Sequence, residues 1–237
     1  MSTIAAHLDD VLSRIARATA DAGRPANSVQ LLAVSKTFGA DAVREAIAAG
    51  QRAFGENYVQ ESLDKIAALA DETLDDKPLE WHFIGPLQSN KTRPVAEHFD
   101  WVHSVDRLKI AERLSAQRPT GMAPLQVCLQ VNISGEASKS GVCPAEVPEV
   151  ARAIAALPNL TLRGLMAIPE PEDDPARQRA PFKAVRTLFD ALRADGLALD
   201  TLSMGMSGDL EAAIAEGATM VRIGTAIFGA RDYGHRG

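Results

Sequence analysis

The feature that most constrains the fold of this chain is a regular alternation of short β-rich runs with longer stretches of helical periodicity. Such alternation is typical of parallel βαβ units, because each strand reaches the next parallel strand through a crossover helix. The runs are rich in β-branched and other apolar residues. They are Val29–Val34, Arg52–Gly55, Glu80–Ile84, Trp101–Ser104, Leu125–Val131, Leu160–Met166, Leu199–Ser203 and Thr219–Ile223.

The number of these runs suggests a sheet that closes on itself. A single (β/α)8 barrel commonly takes about 250 residues, and this chain has 237. No linker rich in Gly or Ser divides the sequence, so we expect one domain over residues 1–237. The sequence predicts an α/β protein, a single (β/α)8 TIM barrel, with an extra amphipathic helix over residues 2–22 before the first strand.

The predicted crossover helices carry apolar residues at helical spacing. The third crossover, residues 88–99, contains Pro94. Proline in a helix removes a backbone donor and clashes with the preceding turn, so we expect a short or kinked helix there. The other predicted helices are Ala40–Ala49, Val59–Ala70, Arg107–Ala116, Ala145–Ala156, Arg179–Ala194 and Leu210–Ala215.

The composition argues against several classes of protein. A formal net charge of −6, without a stripe of Lys and Arg, makes nucleic acid an unexpected partner. Hydrophobic and charged fractions of 46% and 24% favour neither disorder nor membrane insertion. Asp9, Asp10 and Asp21 argue against a secretory signal or a transit peptide. Cys128 and Cys143 lack the spacing of a zinc site and fit a reducing compartment, so we expect a cytoplasmic protein.

Lys36 follows the first predicted strand directly, and barrel enzymes place their functional residues at the carboxyl ends of strands. An apolar strand end disfavours a charged ammonium group, which makes a neutral, nucleophilic amine accessible. Such an amine forms a Schiff base with an aldehyde. The alternative is a lysine that extends from the barrel rim into solvent.

A phosphate-binding segment is predicted where the seventh and eighth strands end. Ser207 and Gly208 open a helical pattern after the seventh strand, and Gly224 and Thr225 follow the eighth. Glycine lets the backbone approach an anion, helix N-termini present N–H groups, and this is the recurrent phosphate position in the fold. Arg222 would add positive charge. The alternatives are an ordinary helix start and a strand arginine paired with an acid.

Other strand ends carry side chains that would complete a site for a small aromatic ligand. Asn57, His82 and Asn132 are polar residues beside apolar runs, and a ring with a phenolic oxygen would give them a partner. Met166 and Met204 would pack against the ring. The alternatives are turn-forming asparagines, a hydrogen-bonded core histidine and methionines that fill the core.

Six motifs, spread over nearly the whole chain, give the most specific information. They are Ala33-Val34-Ser35-Lys36-Thr37, Phe54-Gly55-Glu56-Asn57-Tyr58, Trp81-His82-Phe83-Ile84-Gly85, Leu165-Met166-Ala167-Ile168-Pro169, Ser203-Met204-Gly205-Met206-Ser207 and Val221-Arg222-Ile223-Gly224-Thr225. Together they resemble the pyridoxal phosphate homeostasis proteins, the YggS/PROSC family of PLP-binding proteins. The resemblance implies a barrel like the N-terminal domain of alanine racemase, with pyridoxal 5′-phosphate (PLP) as a covalent imine on Lys36. It implies a phosphate near Ser207, Gly208, Arg222, Gly224 and Thr225.

The resemblance also implies a biological role. The family keeps free PLP low and available to other enzymes, without established catalytic turnover. We therefore expect a monomeric, non-enzymatic carrier that meets PLP-dependent apo-enzymes transiently. Two departures bear on cofactor transfer: Phe38-Gly39 replaces a second lysine found in many relatives, and Gly208 replaces a frequent acid. Lys139 is then a candidate for a second cofactor contact.

Two enzymatic alternatives use the same barrel. A related racemase completes its site with a second domain that supplies a tyrosine, whereas this chain ends soon after Tyr233. Racemisation also needs a charged partner for the pyridine nitrogen, and the sixth strand, ending Met166-Ala167-Ile168, offers no arginine for that purpose. The other alternative is a Schiff-base aldolase that uses Lys36 on a sugar phosphate.

Overall fold

The computed structural model describes residues 3–135 and 140–229, and within them the strands close into a parallel barrel. The strands are β1 Gln30–Val34, β2 Ala53–Glu56, β3 Thr73–Leu74, β4 Lys77–Pro78, β5 Glu80–Phe83, β6 Trp101–Val105, β7 Leu125–Gln130, β8 Leu160–Met166, β9 Thr201–Ser203 and β10 Met220–Ile223. The order around the barrel is β1-β10-β9-β8-β7-β6-β5-β2, while β3 and β4 form a separate antiparallel pair.

Helices connect the barrel strands and cover their outer faces. They are α1 Thr3–Asp21, α2 Ala40–Ala48, α3 Val59–Ala68, α4 Thr92–His98, α5 Leu108–Gln117, α6 Val147–Ala155, α7 Pro175–Ala194, α8 Leu210–Ala215 and α9 Thr225–Phe228, with a 3-10 turn at Ser89–Lys91. The extra helix α1 precedes β1 and packs against α2, α8 and α9. The prediction of a (β/α)8 barrel with an additional N-terminal helix is confirmed.

The third crossover shows why Pro94 is tolerated. This proline occupies the third position of α4, within the first turn, where backbone N–H groups have no intrahelical partner. The helix is accordingly short, as predicted, and it starts from the 3-10 turn rather than bending at the proline. The small hairpin of β3 and β4 was not predicted. Its turn is formed by Asp75 and Asp76, which both have positive φ, at 51° and 59°.

Side chains that alternate along each strand fill two different spaces. Outward-facing residues join the helices in a large apolar core, whereas inward-facing residues fill the barrel in separate apolar clusters. One interior cluster contains Leu32, Ala53 and Met220, and another contains Trp101, Cys128 and Met166. Buried polar side chains, including His82, His103, Ser203 and Arg222, occupy further positions on the barrel strands.

Within residues 3–135 and 140–229, no helix combines the length and apolarity that crossing a bilayer requires. The same stretch holds no group of three or more His, Cys, Asp or Glu side chains arranged to bind a metal ion.

Candidate functional site

A cavity of about 330 Å³ lies at the carboxyl ends of the barrel strands, which is where binding sites occur in this fold. This volume is at the lower end of the range of about 300–1,000 Å³ that is typical of small-molecule sites. Its lining brings together Lys36, Asn57, Ser207, Gly208, Arg222, Gly224 and Thr225 from the predicted site. The other residues that line it are Val34, Ile84, Ile168 and Met206.

Lys36 stands on a constrained turn immediately after β1. The next residue, Thr37, has a φ of 70°, which is unusual for a β-branched residue and is held by a hydrogen bond from its N–H to Glu61 Oε1 at 2.6 Å. The N–H of Phe38 donates to the carbonyl of Ser35 at 3.1 Å. These contacts fix the backbone on both sides of Lys36, whose side chain is half-buried at the cavity wall.

A buried ionic network that was not predicted from the sequence lies behind this turn. Glu56 Oε1 accepts hydrogen bonds at 2.6 Å from both the Ser35 hydroxyl and Lys65 Nζ. Lys65 also donates to the carbonyl of Ser35 at 2.8 Å. Burial raises the pKa of Glu56, while the charge and hydrogen bond of Lys65 act in the opposite direction. The network therefore anchors the residue that precedes Lys36.

The predicted phosphate cradle, comprising Ser207, Gly208, Gly224 and Thr225, joins two short segments. In the first, the N–H of Met206 donates to Asp209 Oδ1 at 2.6 Å, which closes a turn around Ser207 and Gly208. A Cβ atom on Gly208 would meet nothing within 4 Å, so the protein's own packing does not require glycine at this position.

The second segment of the cradle packs tightly against β1. A Cβ atom on Gly224 would lie 3.1 Å from the carbonyl oxygen of Val34 and 3.3 Å from its Cβ. The N–H groups of Ile227 and Phe228 donate to the carbonyl of Gly224 at 2.9 and 3.0 Å, which forms the single turn of α9. Glycine thus permits the end of β10 to approach β1 beside Lys36.

Arg222 is a buried side chain that lines the cavity. Its Nη1 donates to the carbonyl and the hydroxyl of Ser203 at 2.6 and 2.7 Å, and its Nη2 donates to the carbonyl of Ala167 at 3.0 Å. These hydrogen bonds reach neutral groups rather than a carboxylate, unlike the acid-paired strand arginine considered from sequence. Burial lowers the pKa of Arg222 to about 10, so its guanidinium is charged at neutral pH.

A second cavity, of about 380 Å³, adjoins the first and shares Asn57, Ile84, Ile168 and Met206 with it. Asn132 lines this second cavity rather than the first, and its Oδ1 accepts a hydrogen bond from the N–H of Gly135 at 3.1 Å. The Oδ1 atom of Asn57 is buried with no hydrogen-bond partner among the described residues. Lys139 and Tyr233 lie outside the described residues.

Three predicted ligand residues are fully buried and stand away from the described lining of both cavities. His82 stacks on Trp101, with ring centroids 5.2 Å apart, and contacts His103 inside the barrel. Met166 belongs to an interior cluster with Trp101, and Met204 belongs to the apolar core that includes the outer helices. The contact of His82, Met166 and Met204 with a ligand therefore stays a prediction. Strand position alone did not distinguish the mouth of the barrel from its interior.

Comparisons with known proteins identify the family of this chain. The family model described as alanine racemase, N-terminal domain, matches residues 7–232. The pyridoxal phosphate homeostasis protein of Pseudomonas aeruginosa is 66% identical over 99% of this chain and 98% of that protein. Its counterpart in Escherichia coli strain K12 is 57% identical over 98% of this chain and 99% of that protein.

Solved structures are similar to this chain in both sequence and fold. PipY of Synechococcus elongatus, with PLP bound, is 42% identical, with a TM-score of 0.82, over 95% of this chain and all of that protein. Alanine racemase of Corynebacterium glutamicum is 21% identical, with a TM-score of 0.66, over 91% of this chain and 60% of that one, and shows a similar fold. The chain therefore belongs to the alanine racemase N-terminal domain family and, within it, to the pyridoxal phosphate homeostasis proteins.

Proposed function

We propose that this protein holds PLP as a Schiff base on Lys36 and serves in PLP homeostasis as a carrier of the cofactor. The observation that carries the proposal is that the Lys36 amine, the phosphate cradle and the charged Arg222 all line one cavity. The binding of PLP by PipY, which is 42% identical, supports it. When bound, PLP supplies an aldehyde that condenses with the lysine amine and releases water, and hydrolysis reverses this bond.

The residues present fit such a ligand. Backbone N–H groups of the cradle and the nearby positive charge of Arg222 suit a phosphate group. The buried Oδ1 of Asn57, which has no described protein partner, suits a polar substituent on the ring. Ile84, Ile168 and Met206 offer apolar surface between these polar groups.

We propose a carrier rather than an enzyme because the cavity offers little acid–base chemistry. The described residues that line the two cavities include Lys36 and Arg222 but no Tyr, His, Cys, Asp or Glu. A two-base racemase needs a second proton-transfer group on the opposite face of its substrate. The names of the curated relatives, pyridoxal phosphate homeostasis proteins, also favour a non-catalytic role.

Absorption spectroscopy tests cofactor binding. Titration of the purified protein with PLP is expected to replace the spectrum of the free aldehyde with that of a Schiff base, and Lys36→Ala is expected to abolish the change. The matched control is Lys91→Ala, since Lys91 is exposed and outside both cavity linings. A wild-type protein that takes up no PLP would contradict the proposal.

A second assay separates carrier from enzyme. The PLP-loaded protein is incubated with L- and D-amino acids in deuterated water, and exchange of the α-hydrogen and change in optical rotation are followed. We expect no more than stoichiometric change. Sustained turnover that Lys36→Ala abolishes would establish a racemase-like enzyme instead.

We further propose that the protein acts in the cytoplasm as a monomer that meets PLP-dependent apo-enzymes only briefly. Its two cysteines are free thiols, one buried and one exposed, which fits a reducing compartment. Light scattering, which measures the molar mass in solution, tests whether the protein is a monomer. Reactivation of an apo-enzyme by the loaded protein, compared with reactivation by an equal amount of free PLP, tests the delivery of cofactor.

A further inference from the structure

A row of polar side chains crosses the interior of the barrel, and cofactor binding alone does not explain it. Arg222 Nη1 lies 2.7 Å from Ser203 Oγ, which lies 2.7 Å from His103 Nδ1. His103 Nε2 lies 2.9 Å from His82 Nδ1, and His82 Nε2 lies 3.5 Å from Glu80 Oε1. We call these five residues the polar row.

The polar row joins the two mouths of the barrel. Arg222 lines the 330 Å³ cavity at the carboxyl ends of the strands. Glu80, the first residue of β5, lines a separate pocket of about 290 Å³ together with Arg52 and Trp101, near the amino ends. There, Glu80 Oε1 accepts a hydrogen bond from Trp101 Nε1 at 2.8 Å, and Arg52 Nη1 lies 3.4 Å from Glu80 Oε2.

The middle of the row is inaccessible to solvent. His82, His103 and Ser203 each have 0% relative exposure. In such surroundings an unsatisfied polar atom is costly, so each hydrogen bond needs one donor and one acceptor. Burial lowers the pKa of His82 and lowers that of His103 well below its usual value. Neighbouring His82 is the largest cause that lowers the pKa of Glu80, to about 2. The Nε2 atom of His82 makes no hydrogen bond among the described residues, so its contact with Glu80, at 3.5 Å, is electrostatic. Neutral imidazoles and an ionised Glu80 therefore describe the row at neutral pH.

These charges favour one direction of hydrogen bonding. The Arg222 guanidinium can only donate, so Ser203 Oγ accepts from it and directs its own proton to His103 Nδ1. His103 then carries its proton on Nε2 and donates to His82 Nδ1. His82 carries its proton on Nε2, facing the carboxylate of Glu80. Reversal would make Ser203 Oγ accept from both Arg222 and the Nδ1–H of His103. It is disfavoured because it would turn a lone pair of His82 Nε2 toward the carboxylate of Glu80.

We propose that the polar row is a positioning relay, in which Glu80 fixes the tautomers of both histidines and thereby holds the Arg222 guanidinium in place through Ser203. Arg222 lines the cavity, so the relay sets the affinity of the site for a phosphorylated ligand. His82 is thus a positioning residue rather than a direct ligand. In its bearing on PLP this inference rests on the proposed function, although the tautomers and the placement of Arg222 do not.

A double-mutant cycle tests whether the effect passes through Ser203. His82→Phe retains an aromatic ring beside Trp101 but ends the relay. We expect it to weaken PLP binding about tenfold in the wild-type background. In a Ser203→Ala background the same change is expected to weaken binding less than about twofold, because the link to Arg222 is already broken. His98→Phe, on the exposed side of α4, is the control and is expected to leave binding unchanged. An equal loss in both backgrounds, or no loss in His82→Phe, would overturn the proposal.

Nuclear magnetic resonance provides a readout that needs no cofactor. In the ¹⁵N-labelled wild-type protein, His82 and His103 are both expected to be neutral with the proton on Nε2. A proton on Nδ1 of His103 would overturn the relay. The guanidinium signals of Arg222 are expected to shift on His82→Phe but not when this change is added to Ser203→Ala. These signals are read without PLP, so they distinguish failure of the relay from failure of PLP binding.

Discussion

The backbone of Gly85 lies so close to that of Asn57 that a Cβ atom on Gly85 would fall 2.2 Å from the Asn57 carbonyl oxygen. This contact joins the segment after β5 to the segment after β2 at the wall shared by the two cavities. Real Cβ atoms do not approach backbone oxygen so closely, so any larger residue at position 85 must displace Asn57.

Gly85→Ala is therefore expected to destabilise the fold by about 1–3 kcal/mol through overpacking and to weaken PLP binding as Asn57 shifts. Urea unfolding and PLP titration measure the two effects. Wild-type stability together with wild-type affinity would show that the segment after β5 moves without affecting the cavity wall.

Gly208→Ala is expected to lower PLP affinity without lowering the stability of the protein. A Cβ atom here meets no protein atom within 4 Å, so the stability of the protein without ligand should stay within about 0.5 kcal/mol of wild type. If the phosphate approaches this backbone, PLP affinity should fall. Gly39→Ala, equally open but outside both cavity linings, is the control. Unchanged affinity in Gly208→Ala would remove Gly208 from the phosphate cradle.

Lys65→Met is expected to destabilise the protein by about 3–5 kcal/mol, because it leaves the buried Glu56 carboxylate without its cationic partner. Adding Glu56→Gln removes the unpaired charge and should recover part of this loss. Both are measured by urea unfolding at neutral pH. A double variant no more stable than Lys65→Met would show that the ion pair is not the source of the loss.

The buried histidines predict a fall in stability as the pH is lowered from about 7 to about 5. The folded-state pKa of His103 is well below its usual value and that of His82 is also lowered. The unfolded chain therefore binds protons at these residues, near pH 6.5, before the folded chain does. Each such histidine reduces the free energy of unfolding by up to about 1.4 kcal/mol per pH unit.

Histidine variants separate the effect of the buried histidines on stability from the effect of Asp and Glu side chains that titrate in acid. His103→Gln removes one of the two groups and should make the pH dependence of stability less steep, whereas His98→Asn, at an exposed position, should leave it unchanged. Urea unfolding at several pH values within this window measures the slope. The same slope in His103→Gln and wild type would contradict a neutral, buried His103.

The sequence was sufficient to predict the barrel because strands and crossover helices leave distinct periodicities. Predicted and observed barrel strands differ by no more than two residues at either end, as at Leu199–Ser203 against Thr201–Ser203. The shared position of Lys36 and the predicted phosphate cradle at one cavity was predictable for a related reason, since parallel strands bring their carboxyl ends to the same mouth. Position along the chain was then enough to place them together.

Partners of buried polar side chains could not be predicted in this way. Glu56 and Lys65 meet through their positions on a strand and the following helix, and neither residue type indicates burial. His82 follows the same period as residues at the mouth, but its depth depends on the stagger of neighbouring strands. The hairpin of β3 and β4 has only two residues in each strand, too few for any periodicity to appear.

Reduction of the PLP-treated protein with borohydride, followed by peptide mapping, identifies the lysine that forms the Schiff base. Reduction converts a Schiff base into a stable secondary amine on the lysine that formed it. We expect one principal phosphopyridoxyl label, on Lys36, and its loss in Lys36→Ala. A principal label on another lysine, or no label after treatment with saturating PLP, would contradict it.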